Sequence, residues 1–317
     1  MFYIELNSHI VVKKVFLYSF ILVSLILGIK LFANNPTQSK VPVGALVDSC
    51  FLDNGVIKVG VDLNTGGCIF YVGNSNSTEN FVNHRDNGRY IQQSFYGGRD
   101  GSTWAGKPWS WNPIQGGGCG VAGNPKAKVV SHKLTDDQLY VCTMPKHWAT
   151  GKDIEEIRME QWITISDSVV HVRYKAGNIG SISHPKGHCE LPAIFLDHKY
   201  GNLVLYRGNS PWSNDALYDT IPPFKNRRFE NLKEHWAAYV DDNGYGIGFY
   251  FPESEMITTY RRGDGSQAGT LGRDCSYLAP VRTFAFVPGA ELEYDLYITV
   301  GTVGQIRGRF YKLADKM

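Results

Sequence analysis

Residues 83–98 read Asn-His-Arg-Asp-Asn-Gly-Arg-Tyr-Ile-Gln-Gln-Ser-Phe-Tyr-Gly-Gly, the densest polar stretch in the chain. His84, Arg85, Asp86 and Arg89 fall at the mouth of a turn. Gln92, Ser94 and Tyr96 share one face of the strand that follows, because strand side chains alternate with period two, and Gln93 adds a further amide. Amides, carboxylates and guanidinium groups are planar and pair with neighbouring hydroxyls, so this stretch supplies the polar half of a sugar site. The competing reading is an ion-paired loop in which Asp86 locks Arg85 or Arg89, since structural ion pairs imitate site chemistry.

The aromatic half comes next. Trp104, Trp109 and Trp111 lie within a Gly/Pro-rich loop, followed by Asn112 and Gln115. Loop indoles that do not alternate like strand residues suit stacking against a sugar ring, although they could instead cover one end of the fold. A third segment, residues 183–192, reads Ser-His-Pro-Lys-Gly-His-Cys-Glu-Leu-Pro. If it is extended, His188 and Glu190 project to the same face. An imidazole beside a carboxyl serves acid–base chemistry near neutral pH. The alternatives are a hydrogen-bonded turn and a metal site built from His184, His188, Glu190 and His198. Their spacing matches no ligand motif, so neither a metal nor any other cofactor is expected. Arg261-Arg262-Gly-Asp264-Gly reads as a solvated charged loop.

The elements that must position these residues are strands. Residues 55–62 alternate apolar and polar, and 68–72 follow a Gly-Gly turn. Segments 126–132 and 138–144 flank a Thr-Asp-Asp turn, and 157–166 and 169–176 flank Asp167-Ser168; both pairs read as hairpins. Further strands are expected at 193–196, 203–206, 237–240, 246–251, 281–286 and 292–300. Helical pattern is confined to single turns near 152–156 and 232–236. Many short strands between Gly, Pro and Asn turns predict an all-β protein, a large antiparallel β-sandwich with few short helices. It forms a single domain over residues 50–313.

Two lysines, Lys13 and Lys14, precede fifteen uncharged residues (15–29) before Lys30 and Ala33. A spanning helix takes about 20 apolar residues, so residues 1–33 read as a secretory signal or an uncleaved signal anchor, with 34–49 a proline-broken linker. The protein is therefore expected to be secreted or extracytoplasmic, meeting a membrane only through that segment. All six cysteines lie beyond it, which predicts up to three disulfides. The net charge is +2, and beyond residue 33 the chain carries 29 basic and 29 acidic side chains. Such a body has no electrostatic footprint for nucleic acid.

With those residues in view, the chain resembles the galactose-mutarotase-like superfamily of carbohydrate-active β-sandwiches. Asn54-Gly55-Val56-Ile57-Lys58-Val59-Gly60-Val61 followed by Gly66-Gly67-Cys68-Ile69 is similar to its opening strands. Residues 163–174, ending at Asn178, look like its central hairpin, and Pro288-Gly289-Ala290-Glu291 looks like the entry to its last strand. Secreted members are resembled through residues 88–94, 111–115 and 190–193. The resemblance implies a sugar site on the concave sheet, with His188 matching the catalytic histidine. No clear histidine-aromatic-asparagine motif follows the hairpin and no late glutamate stands in the setting that true mutarotases have, which points away from simple epimerisation.

The expected function is cleavage of glycosidic linkages in a polysaccharide or oligosaccharide. In a hydrolase, Glu190 and Asp86 form the carboxyl pair. In a lyase, His188 or Tyr96 takes the proton beside a uronate carboxylate neutralised by Arg85 or Arg89. Hydrolysis is slightly favoured. The alternatives are a glycan-binding module without catalysis and a mutarotase-like epimerase.

Overall fold

The computed structural model describes residues 48–215, 219–221 and 226–317. The expected signal or anchor, and all but the last two residues of the expected linker, lie outside the described residues. The first strands are β1 (Ser49–Asp53), β2 (Ile57–Asp62), β3 (Cys68–Asn74), β4 (Ile91–Ser94), β5 (Arg99–Trp104), β6 (Lys107–Ser110) and β7 (Pro113–Ile114). Next come β8 (Lys128–Leu134), β9 (Gln138–Met144), β10 (Lys146–His147), β11 (Ile157–Ser166), β12 (Val169–Asn178) and β13 (His184–Asp197). The chain continues with β14 (Asn202–Leu205), β15 (Asp219–Ile221), β16 (Arg228–Asn231), β17 (Trp236–Val240) and β18 (Tyr245–Tyr250). It closes with β19 (Met256–Arg262), β20 (Cys275–Phe286), β21 (Glu291–Thr302) and the helix α1 (Val303–Ala314).

Two large antiparallel sheets result. One runs β1-β2-β3-β4-β13-β20-β19-β16, with β7 bridging β4 and β10. The other runs β15-β14-β17-β18-β21-β12-β11-β9-β8. The β11–β12 hairpin shows why the second sheet forms. Ile157, Met159, Gln161 and Ile163 alternate into the core while Arg158, Glu160 and Trp162 face outward, and Asp167 turns the chain at φ +50°. Inner residues of both sheets share one core: Val59, Val72, Ile91, Ile194 and Leu278 from the first, with Val141, Met159, Val172, Phe249 and Ile298 from the second. The all-β sandwich is therefore the observed architecture.

Two expectations about elements are corrected. The segments at 152–156 and 232–236 are not helical: each holds a turn, the first beside a bridge at Asp153 and the second running into β17. The helix lies instead at the C-terminal end, where Thr302 and Gln305 make a reciprocal capping box. It buries Ile306 and Phe310 with Trp236 and Tyr250 on the outer face of the second sheet. The disulfide expectation is corrected as well: all six cysteines are free thiols. Cys68 donates to Gln92 Oε1 at 3.5 Å and Cys119 to Asp86 Oδ1 at 3.3 Å, so at least two of the thiols are held within the fold by polar partners.

Candidate functional site

The outer face of the first sheet carries a small apolar floor made by Ala193, Phe195, Tyr260, Tyr277 and Ala279. Above it opens a cleft of about 340 Å³, lined by Glu190, Tyr96, Ser94, Asp86 and Arg89 together with Trp104, Trp109, Trp148, Arg227 and Arg262. Glu190 reaches it because of an irregularity in β13. Register against both β4 and β20 slips between Glu190 and Ile194, where Pro192 has no N–H to give to a ladder. Regular alternation would group Glu190 with Pro192 and Ile194. The extra residue instead puts Glu190, Ala193 and Phe195 on the cleft side, while Cys189, Leu191 and Ile194 enter the core.

Tyr96 donates to Glu190 Oε2 at 3.3 Å, and Tyr277 and Ser94 line the cleft beside the carboxyl. Burial pushes the Glu190 carboxyl above its ordinary value, against the downward pull of Tyr277, the Arg227 charge, Tyr96 and Ser94. Burial, and then the nearby Glu190 charge, drive the Tyr96 and Tyr277 phenols well up. Glu190 is thus a carboxyl biased toward keeping its proton, beside tyrosines that stay neutral. A carboxyl biased in this way is suited to acid–base chemistry.

One wall is aromatic. The β5–β6 ribbon is a separate two-stranded sheet, and its turn needs positive φ at both central positions, Ala105 at +49° and Gly106 at +73°. It presents Trp104 and Trp109. Trp148, just beyond β10, packs on both, stacked with Trp109 at 4.9 Å and edge-on to Trp104 at 5.0 Å. His147 Nε2 meets Asp100 Oδ2 at 2.8 Å, tying the ribbon to β10. Asn112 lies beneath, donating to the Phe95 carbonyl at 2.6 Å and accepting from Trp109 Nε1 at 3.5 Å.

Solved structures were compared with this arrangement. A galactose mutarotase-like protein from Lactobacillus casei aligns with TM-score 0.54 and 10% identity, over 80% of this chain and 100% of its own. A galactose mutarotase related enzyme from Lactobacillus acidophilus aligns with TM-score 0.50 and 11% identity, over 80% and 97%. The fold is galactose-mutarotase-like. No protein-family model matches the sequence, and no curated protein matches it. At this identity the galactose-mutarotase-like likeness concerns the backbone arrangement, and the side chains must be read from this molecule.

Of the residues singled out in the sequence, the cleft gathers Asp86, Arg89, Tyr96, Trp104, Trp109 and Glu190. Asp86 accepts from Gly88 N at 3.1 Å and lies 3.6 Å from Arg89 Nε, so the ion-paired loop and the site wall are the same feature. Gln92 sits on the expected face but is covered. Its amide donates to the Asn87 carbonyl at 2.9 Å and accepts from Gly116 N at 2.6 Å. Gln93 and Gln115 point between the sheets, to the Glu160 carbonyl at 3.1 Å and to Gly66 O and Gln161 Oε1 at 3.0 and 3.2 Å. Backbone carbonyls inside a sandwich need donors, and these amides are spent on them.

Four further placements differ from expectation. Trp111 is a core residue, stacked on His184 at 3.5 Å, so it is not part of the platform. His84 is buried against Phe70, and burial lowers its pKa. Arg85 donates to the Leu271 carbonyl at 3.1 Å, outside the cleft. His188 keeps the face it was expected to share with Glu190 but stands exposed near Thr283, 3.2 Å from its Oγ1, and does not line the cleft. The imagined metal set is scattered likewise, with His184 on Trp111 and His198 against Arg261 Nη2 at 2.8 Å.

Sequence reasoning missed Trp148, Arg227, Tyr260, Arg262 and Tyr277. Tyr260, Arg262 and Tyr277 come from β19 and β20, far along the chain, and only the pairing Tyr260↔Tyr277 brings them beneath Glu190. The supposed solvated loop thus delivers Arg262 to the wall. A second hollow, of about 610 Å³, lies on the outer face of β9, β11, β12 and β21. It is laced by cross-strand ion pairs such as Arg173–Glu293 and Lys175–Glu291, the habit of a solvated sheet face.

Proposed function

We propose that the protein is an exported carbohydrate-active enzyme that cleaves a glycosidic linkage, with Glu190 as the proton donor to the departing oxygen. The observation that carries this reading is the position of Glu190. It is a carboxyl at the floor of a saccharide-sized cleft, hydrogen-bonded by Tyr96 and faced by an indole wall. Indoles cover the C–H faces of a sugar ring, and Asp86, Arg89 and Arg227 supply polar groups for its hydroxyls. Asp86 is the second carboxyl on the same cleft and takes the role of base in a hydrolytic scheme. The apolar run at residues 15–29 supports export.

Epimerisation is the second reading. It is supported by the likeness to proteins described as galactose mutarotase-like, and by Asp86 being already engaged by Arg89, Gly88 and Cys119, which leaves Glu190 as the less committed carboxyl. A screen of the full chain against a panel of polysaccharides and free sugars separates the two. Release of reducing ends indicates hydrolysis, new absorbance from an unsaturated uronate indicates elimination, and accelerated change of optical rotation without either indicates epimerisation. Absence of all three from every glycan that binds would remove the enzymatic reading.

A further inference from the structure

Several arginines outside the cleft meet carboxylates. Arg207 and Arg228 share Glu230, Arg173 meets Glu293, and Arg307 meets Glu234 at 3.2 Å. Two of the three arginines that line the cleft are not paired in this way. Arg227 lines it and makes no direct ion pair among the described residues, although its charge acts on Glu190; its Nε donates to Thr258 Oγ1 at 2.9 Å and its guanidinium lies over the Phe229 ring at 5.2 Å. That anchoring leaves the two terminal nitrogens of Arg227 unspent. Arg262, paired with Cys275 at the end of β19, lines the same cleft, and its side chain has no hydrogen-bond or ion-pair partner among the described residues. Arg89 adds a third guanidinium, held by Asn83 Oδ1 at 2.9 Å and the Arg273 carbonyl at 2.9 Å beside Asp86.

Against these three guanidinium groups the lining offers two carboxyls, Asp86 and Glu190. The 29 basic and 29 acidic residues beyond residue 33 balance, so this excess is local and does not reflect a basic protein. A planar guanidinium with free N–H groups fits carboxylate and sulfate oxygens in pairs. We propose that the cleft takes an acidic saccharide, a sugar bearing a carboxylate or a sulfate, and that Arg227 and Arg262 clamp its anionic group beside Glu190. This rests on the reading of the cleft as a saccharide site and names the class of sugar. In such a pose the neutral tyrosines Tyr96 and Tyr277 face the ring, and the anion lies on the β16–β19 side.

The test is an array of acidic polysaccharide fragments, each printed beside its own neutralised form, with uronates reduced to alcohols and sulfated sugars desulfated. The full chain is expected to bind at least one acidic member at least tenfold more tightly than its neutral counterpart, with affinity falling as salt rises. Arg227→Gln and Arg262→Gln are each expected to lower that affinity about tenfold or more, and Arg262→Lys to restore part of it, with melting temperatures unchanged. Which neutralisation abolishes binding tells carboxylate from sulfate. Equal binding to charged and neutral forms, binding to neutral glycans alone, or indifference to both arginine substitutions overturns the proposal. Neutral glycans processed in a Glu190-dependent way would leave the enzyme reading standing without it. Arginine-dependent binding with no turnover would do the reverse, and binding to no glycan overturns both.

Discussion

Tyr96 donates its phenolic proton to Glu190 Oε2 at 3.3 Å, from beyond the end of β4 to the strand beside it. The contact follows from one register pair, Glu190↔Ser94, which sets Ser94 and Tyr96 alongside the carboxyl on the outer face. Strand pairing thus positions Glu190 and its hydrogen-bond partner, while the indole wall is carried by the separate β5–β6 ribbon and by Trp148 beyond β10.

The pH behaviour of Glu190 has a definite sign. Burial raises its value in the folded state, so above the ordinary carboxylate range of about 4.3 the folded protein holds a proton that the unfolded chain has lost. Stability attached to this group therefore falls as pH rises from that range through the raised value. Glu190→Gln removes the effect. Thermal melting is expected to show E190Q above wild type at neutral pH, with the gap closing by about pH 4. A gap that widens on acidification would show that the carboxyl is not raised.

The indole wall and the core tryptophan are expected to part company. Trp109→Ala should weaken glycan binding about tenfold with little change in melting, because Trp109 stacks on Trp148 at the cleft edge. Trp111→Ala should cost about 3–5 kcal/mol of stability, since Trp111 is buried against His184 and Phe286. Urea denaturation and a binding titration on the same two proteins check this. The reverse pattern would return Trp111 to the site.

The helix α1 is fastened by a buried pair. Glu234, 1% exposed, accepts from Arg307 at 3.2 Å, from Trp212 N at 3.0 Å and from Tyr311 at 2.5 Å, and also from Trp236 Nε1 at 2.7 Å. Arg307→Met leaves that carboxylate without its cation and should cost about 3–5 kcal/mol. Adding Glu234→Gln should recover part of the loss. Denaturation midpoints of the single and double variants measure both, and an Arg307→Met protein as stable as wild type would contradict the arrangement.

Six free thiols make a simple prediction. The unfolded chain should react with six equivalents of a thiol reagent without prior reduction, and reductant should leave the melting temperature of the native protein unchanged. Recovery of fewer than six, restored by reductant, would reinstate a disulfide.

Much of the fold could be read from period-two alternation, as in the β11–β12 hairpin, where inward and outward residues differ in polarity. Helix α1 was missed, although Thr302 and Gln305 carry the capping signal, because its apolar stripe is short and follows a strand directly. The site was half legible. Asp86, Arg89, Tyr96 and Glu190 stood out by density and spacing. Gln93 and Gln115 stood out equally, and nothing local distinguishes an amide that faces a cleft from one that satisfies Gly66 across the core. Arg227, Tyr260 and Tyr277 were silent because strand pairing over long separations places them. The disulfide expectation failed for a related reason: cysteine count carries no information on which thiols meet.

The most direct test of the central claim compares Glu190→Gln with wild type on a glycan that the full chain processes, recording turnover and dissociation constant together. E190Q is expected to lose turnover by about 100-fold or more with the dissociation constant changed by less than about threefold, the signature of a lost proton donor in an intact cleft. Unchanged turnover in E190Q would contradict it and leave the cleft without its proposed chemistry.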